Sequence, residues 1–161
     1  MEKTAVEKYL DQQNIAYDPI NFGDIVEEAF ESELRKRNID PEIVCKTLVL
    51  KGNKSGVIVA LLPLMKHLDY KKTRKITKDR KVGFPGMDFV MEHTGYPHGA
   101  NTPIGIKMQH PNYIFLADQS LEEMKEIVVS SGEIGRSIKI SVKDLEAVVQ
   151  MRYADILIEN A

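Results

Sequence analysis

Two apolar runs on either side of a short polar link limit the folds that are open to this chain. The first run reads C-K-T-L-V-L at Cys45–Leu50, and the second reads V-I-V-A-L-L at Val57–Leu62. The link between them, K-G-N-K-S-G, has a glycine close to each end, as the loops of β-hairpins do. We therefore predict two paired strands here, which follow one another without an intervening helix.

Capping residues and apolar spacing predict the remaining elements. Thr4 opens the first helix with a capping box, and Asp69 caps a basic helix that runs to about Lys78. A second hairpin is predicted within 127–140, and the chain is expected to close with a strand at Ile156–Ile158. Strands outnumber long helices and do not alternate strictly with them. This order predicts an α+β domain with a mixed, mostly antiparallel sheet flanked by helices.

Length and composition exclude several classes of protein. The 161 residues predict one compact domain over 1–161, and 43% hydrophobic with 29% charged residues is typical of soluble globular proteins. The single cysteine excludes an internal disulfide and fits a cytoplasmic location. No apolar run approaches membrane-spanning length, and the N-terminal M-E-K-T-A-V-E does not resemble a signal peptide, so no membrane partner is expected.

The segment Thr94–Gly105 is unusually rich in glycine and proline. It reads T-G-Y-P-H-G-A-N-T-P-I-G, with three glycines and two prolines among its twelve residues. Glycine lets a ligand approach the main chain closely, and proline stiffens a loop. A stiff loop with exposed N–H groups can bind an ester carbonyl, an oxyanion or a phosphate. The alternative is a long surface connection without such a role.

Positive charge is concentrated in one stretch of the chain. Eight basic and two acidic residues lie between Lys66 and Lys81, which gives this stretch a charge of +6 on a chain whose net charge is −2. A local basic patch on an acidic body is a candidate contact for a phosphate backbone. A solvated helix face is the alternative interpretation.

Lys46 stands out because strand alternation places it on the same face as Leu48 and Leu50. An unpaired lysine is costly to bury, so its ammonium group must reach a partner, an edge or a cleft. The alternative is a lysine at the start of a strand that extends its ammonium group to water.

The remaining candidates for metal or covalent chemistry lack the required pattern. His93, His98 and His110 flank the glycine-rich segment, but no cysteine joins them and no H-E-x-x-H motif is present, so neither a metal nor another cofactor is expected. Cys45 lies in an apolar run, where a lone cysteine is typically a small core residue. No G-x-S-x-G, Walker or dinucleotide-binding motif is present.

Five blocks, taken in order and spacing, resemble one known family. They are N-F-G-D at Asn21–Asp24, C-K-T-L-V-L at Cys45–Leu50, the glycine-rich segment Thr94–Gly105, V-S-S-G-E-I-G at Val129–Gly135, and A-D-I at Ala154–Ile156. The family is YbaK/EbsC, the free-standing trans-editing aminoacyl-tRNA deacylases related to the editing domain of bacterial prolyl-tRNA synthetase. The resemblance runs from about Thr4 to Ile158. It implies an α/β domain with a central, partly barrel-like mixed sheet.

The resemblance also implies a reaction and partners. The reaction is hydrolysis of the ester that joins a wrong amino acid to the terminal adenosine of tRNA, and N-F-G-D points to Cys-tRNA(Pro) as the substrate. The partners are the acceptor end of mischarged tRNA and, as a protein partner, prolyl-tRNA synthetase; DNA is not expected. An aminoacyl ester is already activated, so positioning and oxyanion stabilisation can suffice for its hydrolysis.

Roles for individual residues follow from the same resemblance. The Gly99–Pro103 backbone is expected to hold the aminoacyl carbonyl, with Lys46 beside the terminal adenosine. Either the substrate's own thiol attacks the carbonyl, or a water held by the loop and Ser130 does. The predicted catalytic residues are Lys46, Gly99, Pro103 and Ser130; the predicted substrate-binding residues are Tyr17, Phe30, Thr47, Gly95, Tyr96, Ala100, Asn101, Thr102, Gly132 and Ser137; and the predicted contacts to the tRNA backbone are Lys71, Lys72, Arg74, Lys75 and Lys78.

The chain departs from the family pattern at three places. Ala100 stands where a second glycine is common, Ser137 stands where YbaK-type members often have aspartate, and Lys107-Met108 replaces a more basic pair. These changes bear on amino-acid specificity more than on fold. Two other functions stay open: a module that binds tRNA ends or nucleotides without turnover, and a regulatory module that acts with a synthetase.

Overall fold

The computed structural model describes residues 2–25 and 27–159, with the backbone alone described at residue 27. Short helices and strands alternate irregularly along the chain. The helices are α1 (Ala5–Gln12), α2 (Glu27–Lys36), α3 (Tyr70–Thr77), α4 (Met87–Thr94), α5 (Pro103–Gln109) and α6 (Val142–Val149), with 3₁₀ turns at Pro41–Ile43 and Gln119–Glu123. The strands are β1 (Asp18–Asn21), β2 (Cys45–Gly52), β3 (Gly56–Pro63), β4 (Val82–Gly83), β5 (Ile114–Asp118), β6 (Glu126–Ser130), β7 (Arg136–Ser141) and β8 (Arg152–Ala154).

The strands form two sheets. A five-stranded mixed sheet has the order β4-β2-β3-β5-β8, in which β3–β5 and β5–β8 are parallel and the other two pairings are antiparallel. A three-stranded antiparallel sheet has the order β1-β7-β6. The predicted α+β class is therefore confirmed. The strands are divided between two sheets, and those described do not close into a barrel.

The core explains why the β2–β3 region is almost continuously apolar. Val49, Val59 and Leu61 belong to a large buried cluster that includes residues of β6, β7 and α6. Leu50 and Leu62 belong to a second buried cluster, which Ile76 of α3 packs against. Both faces of the central hairpin are covered, so hydrophobic side chains are needed at successive positions.

Local capping follows the sequence closely. Thr4 and Glu7 form the predicted capping box: the Glu7 N–H donates to the Thr4 hydroxyl at 3.1 Å, and the Thr4 N–H donates to the Glu7 carboxylate at 2.8 Å. Asp69 caps α3 by accepting from the Lys72 N–H at 3.1 Å. Both predicted hairpins, β2–β3 and β6–β7, are also present. None of the helices described is both long and apolar enough to cross a membrane.

The predicted closing strand at Ile156–Ile158 is wrong. The last strand is β8, and the residues after it belong to no strand, although an isolated bridge joins Leu68 and Leu157. The Ile156 N–H donates to the Asp118 carboxylate at 3.2 Å, and the Ile158 N–H donates to the His67 carbonyl at 2.9 Å. The apolar sequence of this segment is typical of a strand, but its backbone is held by hydrogen bonds to residues far away in the chain.

Candidate functional site

The candidate site lies where the two sheets separate. A single parallel bridge joins Val44, the residue before β2, to Val128 of β6, and the pairing does not continue beyond it. Lys46 and Ser130 each lie two residues past this bridge, on the two diverging strands. Both line a cleft of about 980 Å³ that opens between the strands. The cleft is walled by β2, α2, the tip of the glycine-rich segment and the β6–β7 loop.

One wall of the cleft is an unpaired strand edge. On the side of β2 opposite β3, β4 pairs only with Lys51 and Gly52. Between the Val44 bridge and Lys51, no described strand occupies this edge of β2. An open edge presents backbone N–H and C=O groups, which here border a cavity that could take a polar ligand.

The glycine-rich segment is more ordered than predicted. Helix α4 runs to Thr94 and α5 begins at Pro103, so the connection is shorter than the predicted twelve-residue loop. Thr102 is the N-cap of α5, with its hydroxyl accepting from the Gly105 N–H at 3.2 Å, and Pro103 takes the first helical position. Proline is favoured there because its missing N–H would have no partner in the helix.

A tight turn forms the tip of this segment. The Ala100 N–H donates to the Pro97 carbonyl at 3.0 Å, and Gly99 has φ +86°. This combination is typical of a type II turn, which favours glycine at its third position. The turn brings His98 and Gly99 to the cleft, while Ala100 is fully buried behind them.

Tyr96 holds the glycine-rich segment against the β6–β7 loop. A Cβ atom on Gly105 would overlap the Tyr96 hydroxyl and lie 2.6 Å from the Thr102 methyl group. A Cβ atom on Gly132, whose φ is +107°, would lie 3.2 Å from the Tyr96 ring. The two glycines thus allow close packing of the aromatic ring, which fixes one loop relative to the other.

The β6–β7 hairpin supplies two serines to the cleft. Ser130 and Ser137 face each other in register at the end of the hairpin, and both line the cleft. The Ser130 hydroxyl accepts from the Gly132 N–H at 3.3 Å. At the base of the loop, the guanidinium of Arg136 pairs with the buried carboxylate of Glu7 at 2.8 Å. This ion pair ties the hairpin to α1.

Lys46 is the cationic group on the β2 wall. Its side chain is partly buried, and burial lowers its pKa below the ordinary lysine value. Among the residues that the structure describes, it forms neither a hydrogen bond nor an ion pair. Of the destinations considered for this lysine, a cleft is the one observed, and its ammonium group has no internal partner there.

Cys45 also borders the cleft but is unsuited to act as a nucleophile. The residue is 8% exposed, and burial raises the pKa of its thiol to about 12. Its Sγ atom donates to the Ile43 carbonyl at 3.6 Å. Because the thiolate is the reactive species, this thiol is inert at neutral pH, as expected for a core cysteine.

The predicted site residues fall into two groups. Some reach the cleft, and others lie behind it or elsewhere. Those that line it are Phe30, Lys46, Thr47, Gly99, Asn101, Ser130 and Ser137. Those outside its lining are Tyr17, Gly95, Tyr96, Ala100, Thr102, Pro103 and Gly132. Tyr17 borders a separate cavity of about 670 Å³ and donates to Asp11 at 3.0 Å.

Several cleft residues were not predicted. His67 and His98 line the cleft from different loops, and so do four exposed apolar side chains: Met65, Phe84, Met87 and Ile134. The segment Gly83-Phe84-Pro85-Gly86 is typical of a turn, but its placement beside β2 depends on tertiary contacts. Within the described ranges, no three His, Cys, Asp or Glu residues converge as metal ligands.

The predicted phosphate contacts lie on α3 or, for Lys78, at its C-cap, and none of them lines the cleft. Lys71, Lys75 and Lys78 are exposed. Lys72 is different, because its ammonium group donates to the Asp155 carboxylate at 3.0 Å and to the Leu157 carbonyl at 2.8 Å. The helix connects two rim segments of the cleft, with His67 shortly before it and Phe84 shortly after it.

Comparisons with known proteins agree with this architecture. The model of the aminoacyl-tRNA editing domain family matches residues 27–148. EbsC of Enterococcus faecalis, whose assignment as a Cys-tRNA(Pro)/Cys-tRNA(Cys) deacylase is itself provisional, is 30% identical over 156 residues, covering 96% of this chain and 93% of EbsC. A proline–tRNA ligase of Fervidobacterium nodosum is 30% identical over 90 residues, covering 56% of this chain and 15% of the ligase.

Solved structures share the fold at lower identity. A crystal structure assigned provisionally as a trans-editing enzyme for prolyl-tRNA synthetase has a TM-score of 0.79 at 19% identity, covering 96% of this chain and 95% of that chain. A hypothetical protein has a TM-score of 0.80 at 20% identity, covering 95% of this chain and 99% of that chain. The resemblance inferred from the motifs is confirmed, and the chain belongs to the aminoacyl-tRNA editing domain family.

Proposed function

We propose that this chain is a trans-editing deacylase that hydrolyses the aminoacyl ester of mischarged tRNA, with Cys-tRNA(Pro) as its preferred substrate. One observation carries the proposal: Lys46, the Gly99 turn and Ser130 line the same cleft, although they come from three separate elements. Family membership supports hydrolysis of an aminoacyl-tRNA ester. The resemblance to EbsC supports cysteine and tRNA(Pro) as the finer choice.

The cleft residues suit charge stabilisation at an ester. When a nucleophile attacks the carbonyl carbon, negative charge develops on the carbonyl oxygen. The Lys46 ammonium group, which has no internal partner among the described residues, can pair with that oxygen or with the phosphate of the terminal adenosine. The backbone at Gly99 can position the carbonyl. Preorganised donors of this kind need no reorganisation during the reaction.

In this proposal, Pro103 and Thr102 have a different role from Gly99. Both are buried at the start of α5, so neither touches the cleft directly. Their part is to hold the turn that carries Gly99 at a constant distance from β2. Pro103 was predicted to be catalytic, and in the proposed mechanism it is a positioning residue.

Two routes remain for the attacking group. In the first, the thiol of the esterified cysteine attacks its own carbonyl carbon, the bond to the ribose oxygen breaks, and that oxygen takes the thiol proton. In the second, a water near Ser130 attacks, and free cysteine is released. The buried thiol of Cys45 supplies neither route. Ala-tRNA(Pro), which lacks a thiol, separates them, because only the second route can hydrolyse it.

The test measures ester loss from Cys-tRNA(Pro), Ala-tRNA(Pro) and Pro-tRNA(Pro), with wild type, Lys46→Ala and Lys143→Ala. Lys143 is an exposed lysine on α6 that does not line the cleft, so its variant is the matched control. We expect selective loss of cysteine, and a reduction of roughly 100- to 1,000-fold in Lys46→Ala alone.

Other outcomes would change the proposal in defined ways. Loss of alanine instead of cysteine would overturn the substrate and the thiol-assisted route but keep the reaction class. No ester loss from any substrate would overturn the deacylase proposal. Retained binding of tRNA under those conditions would favour a module that holds tRNA ends, alone or with prolyl-tRNA synthetase.

A further inference from the structure

Exposed apolar side chains are concentrated around the cleft. Eight large hydrophobic residues are exposed in the described part of the chain, and four of them line this cleft. These four, which we call the apolar rim, are Met65, Phe84, Met87 and Ile134, with exposed fractions between 53% and 64%. A cluster of exposed apolar groups beside a polar cleft is typical of a binding surface.

Among the described residues, Phe84 is the phenylalanine whose ring has neither an aromatic nor a cationic partner. Phe22 packs against Phe30, Phe89 stacks on His93, and Lys107 lies over the Phe115 ring. Within the described ranges, no aromatic ring or cation is in contact with the Phe84 ring, which is 54% exposed. One large aromatic face is therefore available to a ligand.

The backbone holds Phe84 at the mouth of the cleft. Strand β4 pairs with β2 at Lys51–Gly83 and Gly52–Val82, and the chain leaves the sheet at the next residue. Continuing this register would put Phe84 opposite Leu50, along the unpaired edge of β2. Pro85 restricts the backbone after the ring, and Gly86, with φ +99°, turns the chain into α4.

The charge around Phe84 favours a polyanion on one side of the cleft. Lys78, Arg80 and Lys81 are exposed and come directly before β4, while Lys46 lies on the β2 wall. The opposite wall carries Glu28 of α2. Lys78, Arg80 and Lys81 do not line the cleft themselves, but they lie on the β4 side of it, where exposed cations can contact a phosphate backbone. An exposed aromatic ring among cations is typical of surfaces that bind single-stranded nucleic acid, because bases stack on the ring while phosphates contact the cations.

We propose that the Phe84 ring is the stacking platform for one nucleobase of the single-stranded 3′ end of tRNA, with Met87 extending the apolar surface beside it. The inference rests on the proposed function, since it needs an RNA end in this cleft, and it adds a base-binding residue that positions the ester. An RNA end stacked on this ring would extend from the basic helix α3, along the apolar rim, to Lys46.

The first experiment uses the absence of tryptophan from the chain. The variant Phe84→Trp carries a single fluorophore at the proposed platform, and Met91→Trp carries one at an equally exposed position of α4 that does not line the cleft. Each is titrated with a single-stranded RNA that ends in CCA and carries no amino acid. We expect saturable quenching in Phe84→Trp only, because a stacked base quenches indole emission.

The second experiment compares RNA affinity and deacylation kinetics in Phe84→Ala and Phe84→Tyr. We expect Phe84→Ala to weaken RNA binding and raise KM by roughly 5- to 100-fold, with kcat nearly unchanged, and Phe84→Tyr to retain both. An RNA whose terminal nucleotides lack bases should bind wild type and Phe84→Ala equally. Circular dichroism confirms that each variant is folded.

The outcomes separate this inference from the proposed function. Absence of quenching, unchanged affinity in Phe84→Ala, or equal dependence on Phe84 for RNA with and without bases would each overturn the platform, even if deacylation is observed. Quenching and Phe84-dependent binding without deacylation would support the platform while overturning the enzymatic proposal. Because the RNA in the titration carries no amino acid, the result does not depend on ester hydrolysis.

Discussion

Lys46 and Ser130 lie on different sheets, and each is two residues beyond the Val44–Val128 bridge that joins β2 to β6. Had the strands continued to pair, these two residues would face each other across a sheet. Because the strands diverge, a cleft opens between a cationic side chain and a hydroxyl group. The position of the candidate site is thus set by where backbone pairing stops.

Replacing Lys46 with methionine is expected to reduce the proposed activity as strongly as Lys46→Ala does and to stabilise the fold at neutral pH. Burial lowers the pKa of Lys46 in the folded protein, so holding its charge there costs folding free energy at any pH below that lowered pKa. Lys46→Met removes this cost while keeping the aliphatic stem. We expect the Tm at pH 7 to rise by about 1–4 °C.

The stabilisation expected from Lys46→Met should depend on pH. Above the ordinary lysine pKa, the group is neutral in both the folded and the unfolded state, so the advantage of Lys46→Met should shrink as the pH rises towards about 10.5. Thermal unfolding at pH 7 and pH 10 measures it, with Lys143→Met as the control. A lower Tm for Lys46→Met at pH 7 would contradict the prediction.

Gly105→Ala is expected to destabilise the protein even though Gly105 lies within helix α5. Alanine normally favours a helix by about 0.5–1 kcal/mol over glycine, but here its methyl group would meet the Tyr96 hydroxyl and the Thr102 methyl group. Overpacking of this kind costs roughly 1–3 kcal/mol of unfolding free energy. Urea unfolding measures the change.

Two further variants test the cause assigned to the Gly105 effect. Gly83→Ala is the matched control, because its Cβ would meet nothing within 4 Å, and it should be nearly neutral. In a Tyr96→Ala background, the cost of Gly105→Ala should fall, since the main obstacle is gone. Strictly additive costs would show that Tyr96 is not the group that Gly105 accommodates.

Two lysines on α3 should behave differently when replaced by alanine. Lys75 is exposed and has no described partner, so Lys75→Ala should weaken tRNA binding and lower the salt-dependence slope by about one. Lys72 donates to Asp155 and to the Leu157 carbonyl, so Lys72→Ala should mainly lower the Tm. Filter binding at several salt concentrations and thermal unfolding distinguish them. Equal effects on binding with no loss of Tm would contradict the assignment for Lys72.

Asp79→Asn is expected to destabilise the β2–β3 hairpin. The buried carboxylate accepts from the backbone N–H groups of Lys54 and Ser55 at 2.9 and 2.8 Å, and from the Thr77 hydroxyl at 2.5 Å. Burial alone raises the pKa of Asp79, but these hydrogen bonds outweigh burial and leave the pKa below its ordinary value. We expect a loss of about 1–3 kcal/mol of unfolding free energy at pH 7.

At acid pH, wild type and Asp79→Asn should have similar unfolding free energies. Because the folded-state pKa is lowered, the carboxylate stabilises the fold above its unfolded pKa, and this contribution is lost as the pH falls through the folded value. The two proteins should therefore converge below about pH 4. Urea unfolding from pH 7 to pH 3 measures this, with the exposed Asp88→Asn as the control. A constant difference down to pH 3 would argue against a charge-dependent clamp.

Local signals in the sequence were sufficient to predict many elements of the fold. Thr4 with Glu7, and Asp69 before α3, are caps whose partners lie within three residues, so their hydrogen bonds depend on adjacent chain alone. The β2–β3 hairpin has the same local character, since a short link determines the pairing. The motif blocks in turn identified the family, which the family model confirms.

The candidate site was recovered only in part. Lys46, Gly99 and Ser130 were identified and meet in one cleft, whereas Phe84 was assigned no role and His98 was considered only as a metal ligand, although both line it. Tyr96 and Thr102 were predicted to bind the substrate, but the Tyr96 side chain packs two loops together and the Thr102 side chain caps α5. Whether each residue has its predicted role in catalysis remains a prediction.

The caps, the two hairpins, the α+β class and the family could be predicted from sequence alone, because they depend on contacts close along the chain or on motif order. The parallel pairings β3–β5 and β5–β8, the division into two sheets and the set of side chains that share the cleft became known from the three-dimensional structure. Parallel pairing joins segments far apart in the chain, with no turn signal between them. The cleft, in turn, exists because pairing ends after Val44–Val128, where the strands that carry Lys46 and Ser130 separate.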